Sequence, residues 1–91
     1  MKMEPQITVY SKPVCPGCTA VKRRLDGDGL PYNEVDMTKD PAALEMVKGL
    51  GYAQAPVVVY QDGTDVHHFS GFNPGEMKTL RDRLDGLLAA A

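Results

Sequence analysis

Residues 6–26 decide the fold, and they read QITVYSKPVCPGCTAVKRRLD. Residues 6–10 alternate between polar and apolar side chains and are rich in β-forming types, which predicts a strand. Ser-Lys-Pro at 11–13 interrupts that pattern. Residues 16–26 then carry apolar side chains at helical spacing, so a helix should follow the strand almost immediately. The members of this buried stripe are Cys18, Val21 and Leu25.

Two further helices are marked by their first residues. Asp40-Pro41 and Asn73-Pro74 each combine an N-cap acceptor with a proline at the first helical position. An apolar stripe at helical spacing follows each start. These stripes are Ala43, Val47 and Leu50 in one helix, and Met77, Leu80, Leu84 and Leu87 in the other. We interpret the second stripe as core packing and nothing more.

Three more strands complete the pattern. One is predicted at 32–36, and a continuous apolar one at 56–60 is typical of a strand buried on both faces. Asp62-Gly63 is a hairpin signal that returns the chain through 66–69. The order β-α-β-α-β-β-α, with right-handed crossovers and a closing hairpin, predicts an α/β fold. We expect a single domain, residues 1–91, with a four-stranded mixed sheet and helices on both faces.

Composition and charge exclude several classes of partner. The chain has 91 residues, of which 43% are apolar and 24% charged, as in ordinary soluble domains. Its formal net charge of −2 supplies no basic field for nucleic acid or for an anionic membrane. The first residues lack the apolar run of a signal peptide, and no later run is long enough to span a bilayer. We therefore expect a cytoplasmic protein.

The two cysteines, Cys15 and Cys18, have only two residues between them. A structural disulfide stabilises mainly by closing a long loop in the unfolded chain, and this loop is very short. A reducing compartment would not preserve it as a staple either. The pair should therefore serve redox chemistry or metal binding, and C-x-x-C between a strand and a helix favours redox chemistry.

A zinc site would need two more ligands, and only His67 and His68 are available. Adjacent residues on a strand point to opposite faces, so the two imidazoles do not easily reach one ion. We predict no metal site and interpret both histidines as surface or half-buried strand residues.

The start of a helix suits the chemistry of the first cysteine. Unpaired backbone N–H groups and the helix dipole favour a thiolate at Cys15, and Lys12 adds positive charge three residues earlier. Residues three apart on a helix lie about 5–6 Å apart at Cβ, close to disulfide geometry. We predict that Cys15 attacks a partner disulfide and that Cys18, on the apolar face, resolves the mixed disulfide.

Two segments stay ambiguous on the residues alone. Ala55-Pro56 precedes the central strand, where a strand-opening trans proline and a cis peptide both fit. Ser70-Gly71-Phe72 fits a simple turn into the last helix. From composition, the trans form and the simple turn are favoured.

Together these pieces resemble a known family, the NrdH-redoxins, which are glutaredoxin-like proteins of the thioredoxin fold. The resemblance runs from about Ile7 to Leu84. Its matching segments are Val9-Tyr10-Ser11-Lys12-Pro13, Lys22-Arg23 with Leu25-Asp26, Ala55-Pro56-Val57-Val58-Val59 and Ser70-Gly71-Phe72-Asn73-Pro74. The last segment discriminates best, because glutaredoxins at large carry a Gly-Gly and acidic pattern there.

The resemblance implies a site and a set of partners. Pro56 should be cis beside the cysteines, and Ala55 should offer its backbone to an extended substrate segment. The other expected partner-binding residues are Lys12, Pro16, Gly17, Ser70, Gly71 and Phe72. Such a protein binds no cofactor and works through its redox-active disulfide. Its electrons come from NADPH through thioredoxin reductase and pass to class Ib ribonucleotide reductase, and we expect it to act as a monomer.

The resemblance also implies that glutathione should be a poor source of electrons for this chain. Relatives that use it hold its γ-glutamyl end at the start of the third helix, with an acidic residue alongside. Here that place reads Phe72-Asn73-Pro74, with no carboxylate before Glu76.

The sequence also departs from the family, which usually has Cys-(Met/Val)-Gln-Cys and a Trp before Ser-Gly-Phe. Here Pro16 is the glutaredoxin-like choice, Gly17 belongs to neither pattern and Phe69 replaces the Trp. Three alternatives therefore stay open. They are a glutaredoxin or low-molecular-weight-thiol-dependent redoxin using Cys15 alone, a metal or iron–sulfur carrier sharing a cluster through Cys15, and a binding module with an incidental thiol pair.

Overall fold

The computed structural model describes residues 6–63 and 65–90, with side chains as far as Asp85. Within these residues the predicted order of elements is confirmed. The elements are β1 (Ile7–Ser11), α1 (Pro16–Gly27), β2 (Asn33–Asp36), α2 (Pro41–Gly49), β3 (Val57–Asp62), β4 (Asp65–Ser70) and α3 (Pro74–Ala90). Leu87, predicted on the apolar stripe of α3, has its side chain outside the described set.

The four strands form one mixed sheet in the order β2-β1-β3-β4. β1 runs parallel to β2 and antiparallel to β3, and the β3–β4 hairpin is antiparallel. Val57 and Val58, adjacent on β3, are both fully buried, so the strand is covered on both faces as its apolar run predicted. Gly63 in the hairpin has φ +63°, a conformation that glycine adopts without steric cost.

Two apolar clusters cover the two faces of the sheet. One combines residues of α1 and α3 with strand residues that face them, and its buried members are Ile7, Val9, Val21, Leu25, Leu30, Val58, Tyr60, Phe69, Met77, Leu80 and Leu84. The other contains the buried Met37, Val47 and Val57, with Tyr10, Tyr52, Ala55 and Val59 packed against them. Because alternate residues of β3 belong to different clusters, α2 lies opposite α1 and α3, and the prediction of helices on both faces is confirmed.

The predicted helix starts are present as hydrogen bonds. Asp40 Oδ1 accepts from the Ala43 N–H at 3.1 Å, and Asn73 Oδ1 accepts from the Glu76 N–H at 3.1 Å. Ser11 was predicted to break the first strand, but it is the last residue of β1. Its carbonyl accepts from the Met37 N–H at 2.9 Å, a contact 26 positions away that local sequence does not encode.

Across the described residues, no helix combines the length and the apolar character that a membrane crossing requires.

Candidate active site

Cys15 lies at the N-cap of α1, directly before Pro16 at the first helical position. Its backbone is extended, with φ −135° and ψ 97°, and its Sγ accepts from the Cys18 N–H at 3.1 Å. That N–H belongs to the first turn, where backbone donors have no partner within the helix. The same donor and the helix dipole would stabilise a Cys15 thiolate after reduction, and the thiolate is the form that attacks a disulfide.

Cys15 and Cys18 form a disulfide, with their Cα atoms 5.2 Å apart. The two sulfurs have unequal surroundings. Cys15 is half-buried, whereas Cys18 is only 2% exposed on the inner face of α1 with Val21 and Leu25. An incoming disulfide therefore reaches Cys15 more readily than Cys18.

Pro56 faces the start of α1. The Ala55–Pro56 peptide is cis, the form that the family resemblance implied and composition alone did not favour. A Cβ atom built on Gly17 would lie 3.1 Å from Pro56 Cδ, so the Gly17 backbone approaches the proline ring more closely than a residue with a side chain readily allows. This close approach explains why glycine occupies position 17, although Gly17 departs from the usual family residues between the cysteines.

The segment after β4 is bonded to the same proline. Gly71, at φ +80°, donates its N–H to the Pro56 carbonyl at 2.8 Å, and the Ser70 hydroxyl contacts the Gln54 carbonyl at 3.4 Å. Phe72 follows with 40% of its surface exposed. Gly71 therefore bonds to the cis proline itself and Ser70 contacts the loop before it, so this segment does more than turn the chain.

Val14, which precedes the attacking cysteine, was not singled out from the sequence. It has φ +51°, an unusual conformation for a β-branched residue, and its side chain is 94% exposed. No sequence signal marks this position, because valine itself argues against a left-handed conformation.

A polar cleft of about 300 Å³ lies beside the disulfide, and it contains a second group that sequence reasoning missed. The Ser11 hydroxyl, 3% exposed, donates to Glu34 Oε2 at 2.9 Å, and Lys22 Nζ contacts the same oxygen at 2.9 Å. Lys22 first, and then Ser11, hold the pKa of the Glu34 carboxyl below its ordinary value. The only available signal was the acidic pattern of residues 34 and 36 on the predicted second strand.

An apolar groove of about 310 Å³ lies on the other side of Lys12. Its walls include Met37, Val47, Tyr52 and Ala55, so it runs from the face covered by α2 to the residue before the cis proline. Lys12 lines both this groove and the polar cleft, which places a positive charge between them.

The two histidines do not share a site. His67 stacks on Tyr60 with ring centroids 5.1 Å apart, whereas His68 Nδ1 lies 2.8 Å from the Tyr52 hydroxyl. These contacts belong to opposite faces of the sheet, as the alternation of strand residues predicted. In residues 6–63 and 65–90 no group of three or more His, Cys, Asp or Glu is arranged to hold a metal ion.

Comparison with known proteins shows which family has this sequence and fold. Residues 7–66 match the model of the glutaredoxin family. The chain is 36% identical over 74 residues to the glutaredoxin-like protein NrdH of Lactococcus lactis subsp. cremoris, covering 81% of this chain and 97% of that one. The chain belongs to the NrdH-type glutaredoxin-like proteins. This redoxin is also 36% identical to the gene 56 protein of Mycobacterium phage L5, over 84% of its own length and 72% of the phage protein.

The solved structures agree on the fold. The redoxin superposes on the NrdH-redoxin from Escherichia coli with a TM-score of 0.73 at 31% identity, covering 81% of this chain and 92% of that one. The thioredoxin fold predicted from the sequence is therefore confirmed. With its C-x-x-C disulfide in that fold, the redoxin is a thiol–disulfide oxidoreductase.

Proposed function

We propose that this redoxin is a dithiol electron carrier, reduced by thioredoxin reductase and oxidised by the disulfide of a class Ib ribonucleotide reductase. The observation that carries the proposal is the Cys15–Cys18 disulfide, which joins a half-buried cysteine to a fully buried one, in a chain of the NrdH type. The E. coli NrdH-redoxin has a thioredoxin-like activity profile, which supports thioredoxin reductase as the electron source. The electrons then originate from NADPH, and the disulfide is the only redox group that the redoxin needs.

The chemistry follows from the unequal surroundings of the two cysteines. The Cys15 thiolate attacks one sulfur of the partner disulfide, forms a mixed disulfide and releases the partner's other sulfur, which takes up a proton. The Cys18 thiol loses its proton and attacks Cys15 Sγ, which forms the Cys15–Cys18 disulfide and releases the second partner thiol. Two electrons and two protons reach the partner in each cycle, and the reductase returns the same number.

We assign partner binding to the surface around Cys15. Ala55 offers its backbone to an extended segment of the partner, a short β-type pairing next to the cis proline. The exposed Val14 and Phe72 add apolar contact area, which suits a macromolecular partner. The remaining residues assigned to this surface are Lys12, Pro16, Gly17, Pro56, Ser70 and Gly71.

The start of α3 supports a protein reductant over glutathione. Asn73 Oδ1 is already bonded to the Glu76 N–H at 3.1 Å, and Phe72 occupies the surface before it. This segment contains no carboxylate before Glu76 that would bind the α-amino group of a γ-glutamyl moiety.

Reconstitution with NADPH, thioredoxin reductase and a class Ib ribonucleotide reductase tests the proposal. The wild-type redoxin should sustain deoxyribonucleotide formation, and Cys15→Ser should abolish it. Dithiothreitol added to the Cys15→Ser reaction should restore turnover, which shows that the other components are intact. A wild-type redoxin that is reduced by the reductase but supports no turnover would overturn the assignment of the acceptor.

A glutaredoxin-type reaction on mixed disulfides is the second candidate, and Pro16 favours it as the glutaredoxin-like choice after the first cysteine. That reaction needs Cys15 alone, so Cys18→Ser separates the candidates. For a dithiol carrier we expect Cys18→Ser to lose turnover with protein disulfides and to accumulate a mixed disulfide, measured by mass spectrometry. Activity close to wild type in this variant would instead assign the monothiol reaction.

A further inference from the structure

The loop that joins α2 to β3, residues 50–56, presents both Ala55 and the cis Pro56 to the disulfide. We call it the cis-proline loop. The Pro56 ring lies against Gly17 and the Pro56 carbonyl accepts from the Gly71 N–H, so the end of the loop is held on two sides. The middle of the loop, residues 52–54, reaches β4 instead through side chains.

Tyr52 makes the shorter of these side-chain links. Its hydroxyl lies 2.8 Å from His68 Nδ1, and one of the two groups donates according to the tautomer of the imidazole. The rings meet edge to face, with centroids 5.5 Å apart. Ser70 makes the second link, to the Gln54 carbonyl, but its 3.4 Å is long for a hydroxyl hydrogen bond. The Tyr52–His68 pair is therefore the stronger of the two side-chain links between the loop and β4.

The ring of Tyr52 is also half-buried against the apolar cluster under α2. It packs against the cluster of Met37, Val47 and Val57, and it forms a wall of the apolar groove that ends at Ala55. His68 stands on β4 opposite Val59, on the same face of the sheet. His68 is held in place because β4 is paired with β3. Its contact with Tyr52 therefore ties the loop to the sheet.

We propose that Tyr52 and His68 are positioning residues for the reaction with protein disulfides. They hold the cis-proline loop so that the Ala55 backbone stands ready for the partner segment. These two side chains bond to each other, whereas Cys15 Sγ accepts from the Cys18 N–H. The inference rests on the proposed function, because it assumes that Ala55 pairs with the partner.

The consequence is a split between two kinds of substrate. A protein disulfide needs both the loop and Cys15, whereas a small disulfide needs Cys15 alone. Loss of one hydrogen bond should raise the half-saturating concentration of a protein disulfide roughly three- to tenfold. The limiting rate and the rate with a small disulfide should stay at their wild-type values.

The test uses single turnovers of the fully reduced full-length protein, with insulin as the protein disulfide and oxidised dithiodipyridine as the small one. Tyr52→Phe and His68→Leu each remove the hydrogen bond between the Tyr52 hydroxyl and His68 Nδ1. His68→Asn should rescue it, because its side-chain oxygen is attached to Cγ as Nδ1 is in histidine. The matched controls are Tyr32→Phe and His67→Gln, which change the same residue types on the other face of the sheet.

We expect Tyr52→Phe and His68→Leu to raise the half-saturating insulin concentration, with the double variant no worse than either single one. His68→Asn and both controls should behave as wild type. Wild-type saturation in Tyr52→Phe and His68→Leu, failure of His68→Asn to rescue, or an equal loss with the small disulfide would each overturn the inference. A wild-type protein that leaves insulin oxidised would instead overturn the proposed function, and the inference with it.

Discussion

The backbone of a single residue, Val14, is held in a conformation that its side chain disfavours. A β-branched residue at φ +51° brings Cβ close to its own backbone, at a cost on the order of 1–2 kcal/mol. With 94% of its surface exposed, the side chain gains little from burial in return. The folded state should therefore be more stable with a residue that tolerates this conformation.

Val14→Gly should therefore stabilise the oxidised protein by about 1 kcal/mol, since the relief of strain exceeds the extra entropy that glycine has when unfolded. Urea denaturation followed by circular dichroism measures this. Val14→Ala is the matched control and should gain much less, because it keeps the Cβ atom. A glycine variant less stable than wild type would show that the left-handed backbone is not strained.

At the scale of elements, Glu34 on β2 connects the redox helix to the sheet. It accepts from Ser11 on β1 and from Lys22 on α1, and these contacts lower its pKa in the folded state. A carboxyl with a lowered folded pKa stabilises the fold above its ordinary pKa of 4.5. That contribution disappears as the pH falls through the folded value, because the proton then binds both states.

We predict that wild type is more stable than Glu34→Gln at pH 7, and that the difference shrinks steadily below pH 4.5. The Glu34 side chain is 41% exposed, so solvent screening limits the difference to about 1 kcal/mol or less. Urea midpoints from pH 7 to pH 3 measure it, with Glu45→Gln on the exposed face of α2 as the control. A difference that stays constant with pH would contradict the prediction.

The elements were predictable because their signals are local. Asp40 and Asn73 bond to N–H groups only three residues away, and the apolar stripe of α1 depends on helical spacing alone. The missed parts of the site join distant residues. Ser11 and Glu34 are 23 positions apart, and Tyr52 and His68 are 16 apart. Such pairs depend on strand register, and the residue types alone do not predict the register.

At the scale of the whole molecule, the fold brings four separate segments to one edge of the sheet. These are the end of β1, the start of α1, the cis-proline loop and the segment after β4. The cysteine pair could be placed from the sequence, because it lies within one turn of a helix. Its neighbours Pro56 and Gly71 were assigned to the site only through the family resemblance, because no local sequence pattern connects them to Gly17. The cysteine pair is therefore encoded locally, whereas the surface around it is formed by segments that are distant in the sequence.

The most direct test of the account is to follow NADPH oxidation by the oxidised redoxin, once with thioredoxin reductase and once with glutathione and glutathione reductase. We predict rapid reduction by thioredoxin reductase, a rate at least tenfold lower with glutathione, and no signal in either assay from Cys15→Ser. A tenfold difference in rate corresponds to about 1.4 kcal/mol of transition-state discrimination. The lack of a protein carboxylate that would bind the α-amino group of glutathione is sufficient to supply this difference. Equal or faster reduction by glutathione would contradict the account.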